Sequence, residues 1–254
     1  MCSRRGALAA ACVTLGASGL DGRRFVPSIE APFAPASPVL PCPWTLLGDE
    51  DNVKIYYAPN TRAVRIVWLF NELGLPYELE RFELGDRRMR APDFLAVHPL
   101  GRVPVLEDED GTRIYESGAI VQYVLARYGA GRLVPEVASR EFAPYLQWLH
   151  YAEGMIMPPV NTVVVETILL PAERRNQANV DRAVKLLGRM LEAVDAHLAD
   201  REFLAGAFSG ADIMTGHATI VAAKLGADVS DKPHVRAYIE RLSARPALQT
   251  AWQA

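Results

Sequence analysis

The sequence predicts two halves of different build: a small α/β domain and then an all-helical one. Three observations lead there. Between Val53 and Gly129, short β-rich runs alternate with helix-period runs in the order β-α-β-α-β-β-α. From Arg140 onward the apolar pattern is helical throughout. Between them, "GAGRLVPEVAS" (Gly129–Ser139) reads as a linker rich in chain breakers.

The elements follow in order. "VKIYYAP" (Val53–Pro59) is a short β-rich run closed by a turn signal. From Arg62 to Leu73, apolar residues recur at Val64, Val67, Trp68 and Leu73 with helical spacing, and Gly74 stops the helix. "PYELERFEL" alternates as a second strand, with Tyr77, Leu79 and Arg81 on one face. "APDFLAVHP" is a brief helical turn ending at Pro99; His98 is read as its cap, without chemistry. Val103–Glu107 and Thr112–Tyr115 form a hairpin around Asp110-Gly111, a favoured tight-turn dipeptide. Ser117 is placed to cap the next helix, which buries Ile120, Tyr123, Val124 and Tyr128 and stops at Gly129. Beyond the linker, 140–170 reads as a long helix bent near Pro158-Pro159. Asn176–Ala199 is a second, with Val184, Leu187, Leu191, Val194 and Leu198 on one stripe, and shorter helices cover 210–225 and 232–243. In "FSGAD", Ser209 and Asp212 make a near capping box, and Phe208 before it can staple to the following helix. That is a folding device with no chemical role.

Bulk properties narrow the function classes. The chain has 254 residues, half of them hydrophobic, and a formal charge of −3. Such a balance gives no electrostatic reason to expect nucleic acid or an anionic membrane as partner. The basic cluster "GDRRMRAP" (Gly85–Pro92) contains an acid and ends in proline, and reads as a solvated loop. Cys2, Cys12 and Cys42 all precede the body, which therefore carries no cysteine nucleophile, disulfide or thiolate metal site of its own. The histidines (His98, His150, His197, His217, His234) lack metal-ligand spacing. No metal is expected.

The first fifty residues are different material. Arg4-Arg5 followed by "GALAAACVTLGASGL" resembles the basic and apolar parts of an export signal, yet no small-x-small cleavage site stands out. Prolines at 27, 32, 35, 38, 41 and 43 then keep the chain extended. The expectation for 1–51 is an extension that is disordered, mis-started or a targeting signal. Folding begins near Asn52.

Three motifs carry a resemblance: "HPLGRVPVL" (His98–Leu106), "YESGAI" (Tyr115–Ile120) about a dozen residues later, and "FSGAD" (Phe208–Asp212) deep in the helical half. In this order the chain resembles a soluble, cytosolic-type glutathione S-transferase, a bacterial-like member of the serine/threonine type, from about Val53 to Trp252. The resemblance implies a thioredoxin-like glutathione-binding domain at 52–130, a linker at 131–139 and an all-helical domain at 140–254. It also implies a cis Val103-Pro104 bond, which turns Val103 outward so that a peptide-like ligand pairs with it as an added strand. Pro104 itself cannot donate to the sheet. The helix opening at Ser117 carries no acid in its first positions, so its free N–H groups can take an anion. The family places the γ-glutamyl carboxylate of glutathione there, with the Ser117 hydroxyl as second donor and Glu116 near the ligand's ammonium. Arg102 falls at a place often basic in the family, where it can reach the ligand's glycyl carboxylate or backbone.

Thiol activation is assigned to the turn after the first strand. Aligned on Tyr57-Ala58-Pro59, the position that holds serine in several classes falls on Thr61, and the one that holds cysteine in another falls on Arg62. Asn60 competes with Thr61, and Tyr56 and Tyr57 read as core. A free thiol is only about 3% thiolate at pH 7, and lowering its pKa by roughly two units needs about 2.7 kcal/mol. A hydrogen bond to a charged acceptor supplies about 1.5–3 kcal/mol and a helix N-terminus about 0.3–1 kcal/mol. Arg62 and Arg65 sit in the first helical turn, where the dipole disfavours cations. They read either as a site for an anionic ligand or as solvated side chains. The second substrate, a small apolar electrophile, is expected against Tyr145, Trp148, Tyr151 and Met155, a stripe that can equally be domain packing.

The function expected from the resemblance is attack of glutathione thiolate on that electrophile, in detoxification, by a cytoplasmic homodimer with glutathione as co-substrate. The alternatives are a glutathione-dependent disulfide or peroxide reductase, and a non-catalytic protein that binds glutathione conjugates or hydrophobic ligands.

Overall fold

The computed structural model describes residues 53–254, so the extension expected over 1–51 lies outside the described residues. The body opens with β1 (Lys54–Tyr57), α1 (Ala63–Leu73) and β2 (Glu78–Arg81), where α1 makes the crossover that a parallel pair requires. A 3₁₀ turn (Arg87–Arg90) and α2 (Pro92–Val97) lead to the hairpin β3 (Val105–Glu107) and β4 (Arg113–Tyr115), then α3 (Ser117–Tyr128). The strands form one mixed sheet in the order β2-β1-β3-β4, with β1 antiparallel to β3 and β3 antiparallel to β4.

Alternation along β1 divides two cores. Ile55 and Tyr57 face the main hydrophobic cluster with Leu106, whereas Tyr56 and Ala58 face a smaller one with Phe82, Met89, Phe94 and Val105. The basic cluster stays at the surface, as its composition predicted: Arg87, Arg88 and Arg90 are exposed while Met89 turns inward. α1 is apolar nearly all round and buried from Ala63 to Phe70, the pattern of a helix enclosed by protein on every side. Gly74 ends it at φ 65°, with Leu75 N–H donating to Phe70 O and Gly74 N–H to Asn71 O, a Schellman closure.

The helical half comprises α4 (Phe142–Tyr151), α5 (Met157–Val164), α6 (Gln177–His197), α7 (His217–Lys224), α8 (Pro233–Ser243) and α9 (Pro246–Gln253). The stretch expected as one bent helix is instead broken up by two π turns, at Ala152–Ile156 and Val165–Leu169. The first precedes Pro158-Pro159, which cannot donate to the carbonyls of Gly154 and Met155, and there Met157 N–H bonds five residues back to Ala152. A third π turn (Asp212–Gly216) leads into α7. Asn176 caps α6 by accepting from Ala178 N–H at 3.0 Å. Helix α9 has no counterpart in the sequence expectation. Phe208 packs on Trp68 of α1 and on Phe203, so it joins the two halves more than it staples its own helix.

The main cluster runs without a break from Ile55, Val67 and Ile120 to Leu149, Ile213 and Leu248. Both halves therefore share one core. No helix among the described residues is long and apolar enough to cross a membrane.

Candidate functional site

The loop before β3 sets the first wall of the site. Gly101 has φ 55°, and a Cβ there would lie 2.0 Å from the Met89 carbonyl oxygen, so only glycine fits. Arg90 Nη1 clamps the loop by donating to Leu100 O at 2.6 Å. The Val103–Pro104 bond is cis. The ladder to β1 begins at Val105, opposite Tyr56, which leaves half-buried Val103 beyond its end and Arg102 exposed.

The start of α3 is the second wall. Glu116, expected merely to precede a Ser117 cap, holds the N-cap position itself with φ 74° and ψ 109°, and Ile120 N–H donates to its carbonyl. Ser117 is the first helical residue, 2% exposed, and no acid lies in the first turn. Its hydroxyl oxygen accepts from Arg65 Nη1 at 3.0 Å.

Arg65 ties these pieces together. Its side chain is fully buried, which overturns the reading of a solvated arginine. Nη1 also donates to Glu153 Oε1, in the first π turn of the helical half, and Nε donates to His217 Nδ1 at 3.2 Å. Arg62 Nε lies 2.9 Å from both Glu153 oxygens, and its Nη2 donates to Asn161 Oδ1 at 3.3 Å. The anion that this first turn faces is thus a carboxylate of the same chain. Two guanidinium groups against one carboxylate leave a net positive charge. Burial opposes the Glu153 charge, but Arg65 and then Arg62 outweigh it and hold the carboxyl below its usual range.

Thr61 stands at the entry to α1 with its hydroxyl engaged. Oγ1 donates to Ala58 O at 2.7 Å and accepts from Ala63 N–H at 3.2 Å. To donate to a ligand sulfur it must release the Ala58 carbonyl. Asn60 is exposed with φ 59°. Tyr56 and Tyr57 are core residues: Tyr56 donates to Glu107 Oε2 at 3.0 Å and is pushed up to about 12 by burial and that bond, while Tyr57 donates to Ala251 O at 3.0 Å. His98 caps α2 as expected, its backbone N–H donating to Phe94 O at 2.9 Å, and its Nδ1 also steadies the following loop by accepting from Leu100 N–H at 3.0 Å.

The aromatic stripe divides. Tyr145 and Trp148 are buried in the shared core, and Tyr151 is half-buried with its hydroxyl donated to Met190 O at 3.0 Å. Met155 alone of the four is exposed, at 43%. Glu153, Asn161 and His217 were not singled out from the sequence. The available signal was a charged or imidazole side chain set among apolar neighbours, as in "YAEGMI" and "IMTGHATI".

Two family models match the chain: the glutathione S-transferase N-terminal domain over residues 51–126 and the C-terminal domain over residues 156–246. Glutathione S-transferase 4 of Zea mays is 37% identical over 77% of this chain and 89% of its own. Glutathione S-transferase GstB of Escherichia coli K12 is 29% identical over 75% of this chain and 92% of its own. Among solved structures, a glutathione transferase family member from Pseudomonas fluorescens with two glutathione bound superposes with a TM-score of 0.72. It is 25% identical and covers 83% of this chain and 97% of its own.

Proposed function

The chain belongs to the glutathione S-transferase family, and from that premise we propose that it activates the glutathione thiol for attack on a small apolar electrophile. Glutathione occupies residues 52–130, joined by a linker at 131–139 to the helical domain at 140–254. The observation that carries the reading is the beginning of α3: a turn without acids, and a Ser117 oxygen that already accepts from Arg65, leaving its own proton for an anion. The γ-glutamyl carboxylate fits there, with Glu116 near the ammonium. Val103 past the ladder end supplies backbone to the peptide, and exposed Arg102 meets the glycyl carboxylate.

Thr61 is the thiol-activating group, with Asn60 the competing donor. Magnitudes define how far Thr61 can act alone. Exchanging the Ala58 carbonyl for a thiolate gains about 1.5–3 kcal/mol and gives up about 0.5–1.5 kcal/mol. The helix end adds about 0.3–1 kcal/mol. At mid-range these amount to about 1.9 kcal/mol, short of the roughly 2.7 kcal/mol needed, and the excess charge of Arg62 and Arg65 over Glu153 supplies the remainder. The electrophile lies against Met155, the exposed member of its stripe, with Tyr145, Trp148 and Tyr151 shaping the wall from behind. Within this proposal the enzyme works in the cytoplasm as a homodimer, as the resemblance implies.

Thr61→Ala should lower conjugation of an aryl halide tenfold or more while glutathione affinity changes less than twofold; unchanged turnover would transfer the role to Asn60, tested by Asn60→Ala. A second reading is disulfide or peroxide reduction, which the body's lack of cysteine allows if two glutathiones do the redox work. Peroxide and mixed-disulfide turnover on the same preparation separates the two. Retention on immobilised glutathione with no turnover in any assay would favour the binding protein.

A further inference from the structure

We propose that Arg65 and Glu153 are positioning residues through which the helical half fixes the Ser117 hydroxyl, and with it the affinity for glutathione. The inference rests on the assignment of the γ-glutamyl carboxylate to Ser117.

A guanidinium has only donors, so where Arg65 Nη1 meets Ser117 Oγ the hydroxyl must accept. Its proton is then directed away from Arg65. A serine at this place without such a neighbour can turn its proton inward or outward; here only the ligand-serving arrangement keeps the Arg65 bond. The buried guanidinium also lends its charge to the hydroxyl, which makes that proton a better donor.

What holds Arg65 comes from the other half. Glu153 is 88 residues away in sequence and His217 is 152 residues away, and both grip the same planar group. The Glu153 carboxylate is itself braced by Arg62 through both oxygens. Arg65 Nη2 has no partner among the described residues, so nothing on the glutathione-binding half other than Ser117 holds the guanidinium. Remove the Glu153 charge and the geometry at Ser117 loses its anchor. Lysine at 65 offers a single ammonium in place of the rigid fork and cannot serve three partners in the same positions.

The test compares equilibrium binding of glutathione with that of cysteinylglycine, the dipeptide lacking the γ-glutamyl group, to the full-length protein. Glu153→Gln and Arg65→Lys should each weaken glutathione about tenfold or more, and leave cysteinylglycine within twofold of the parent. Ser117→Ala should weaken glutathione as well, and Arg65→Lys added to Ser117→Ala should bring little further loss, because both act at one hydroxyl. Losses shared equally by the two ligands, or fully additive with Ser117→Ala, overturn the proposal and leave the ion pair merely structural. Unchanged glutathione binding in Ser117→Ala alone removes the underlying assignment, and the inference with it.

Discussion

His217 shows what a single side chain in this core can and cannot do. Arg65 Nε donates to its Nδ1, so the ring is neutral and carries its proton on Nε2, which has no partner among the described residues. The ring stacks on Trp252 at 5.2 Å, with Lys224 Nζ 4.1 Å from the centre of that indole. Burial, and then the charges of Arg65, Arg62 and Lys224, push its pKa well below the ordinary value. The unfolded chain accepts a proton that the folded one refuses. Stability is therefore full above the unfolded value near 6.5 and declines as pH falls below it, by at most about 1.4 kcal/mol per pH unit for one such group. His217→Gln, which can still accept from Arg65, should flatten the fall in melting temperature between about pH 6.5 and 5. His98, also lowered by burial, accounts for part of any slope that remains. Equal slopes in parent and variant would refute this. From sequence alone, His217 was one histidine without metal-ligand spacing, and Arg65 was a cation in an unfavourable helical turn. Their partners lie across the core, and no local pattern reports a contact spanning 152 residues.

Elements were far more legible than such contacts, because periodicity and punctuation are local. Gly74, Asp110-Gly111 and Asn176 each mark a boundary that the fold respects. Where the expectation slipped, the backbone had more freedom than the pattern could express: Glu116 took the left-handed cap and moved Ser117 inside α3, and paired prolines widened a helix into a π turn. The box before α7 was legible as a device, with its bonds redistributed. Ser209 N–H reaches the Asp212 carboxylate at 2.9 Å as expected, but the Ser209 hydroxyl donates to the same carboxylate, and Leu204 N–H and Tyr238 OH join them at 3.0 and 2.8 Å. Asp212 thus collects four buried donors from three segments. Asp212→Ala should destabilise the protein by about 3 kcal/mol or more, since each orphaned buried donor costs about 1–3 kcal/mol. Chemical denaturation measures it, and a change under about 1 kcal/mol would contradict the role given to this carboxylate.

At the scale of the whole molecule, the division into an α/β half and a helical half was legible, and the extent of their union was not. Helix α9 returns to the first helix and strand: Tyr57 OH donates to Ala251 O, Asn71 Nδ2 donates to Ala247 O at 3.2 Å, and Arg245 holds Glu72 at 2.6 and 2.8 Å just before α9 begins. Leu248 and Ala251 are fully buried in the common core. Unfolding should accordingly be one transition, coincident by far-ultraviolet and near-ultraviolet circular dichroism. A chain stopped after Arg245 should melt about 10 °C or more lower, from several kcal/mol of lost burial. Two separated transitions in the full chain, or an unshifted melting temperature in the short one, would show the halves to be independent.

The Arg65–Glu153 link reaches beyond any one protein's stability. A helical half borrowed from a sister sequence would arrive without a promise of an acid at the place of Glu153 or an imidazole at the place of His217, and would strand a cation inside the recipient. Swapping halves to mix specificities therefore leaves Arg65 without its partners unless residues matching Glu153 and His217 travel too.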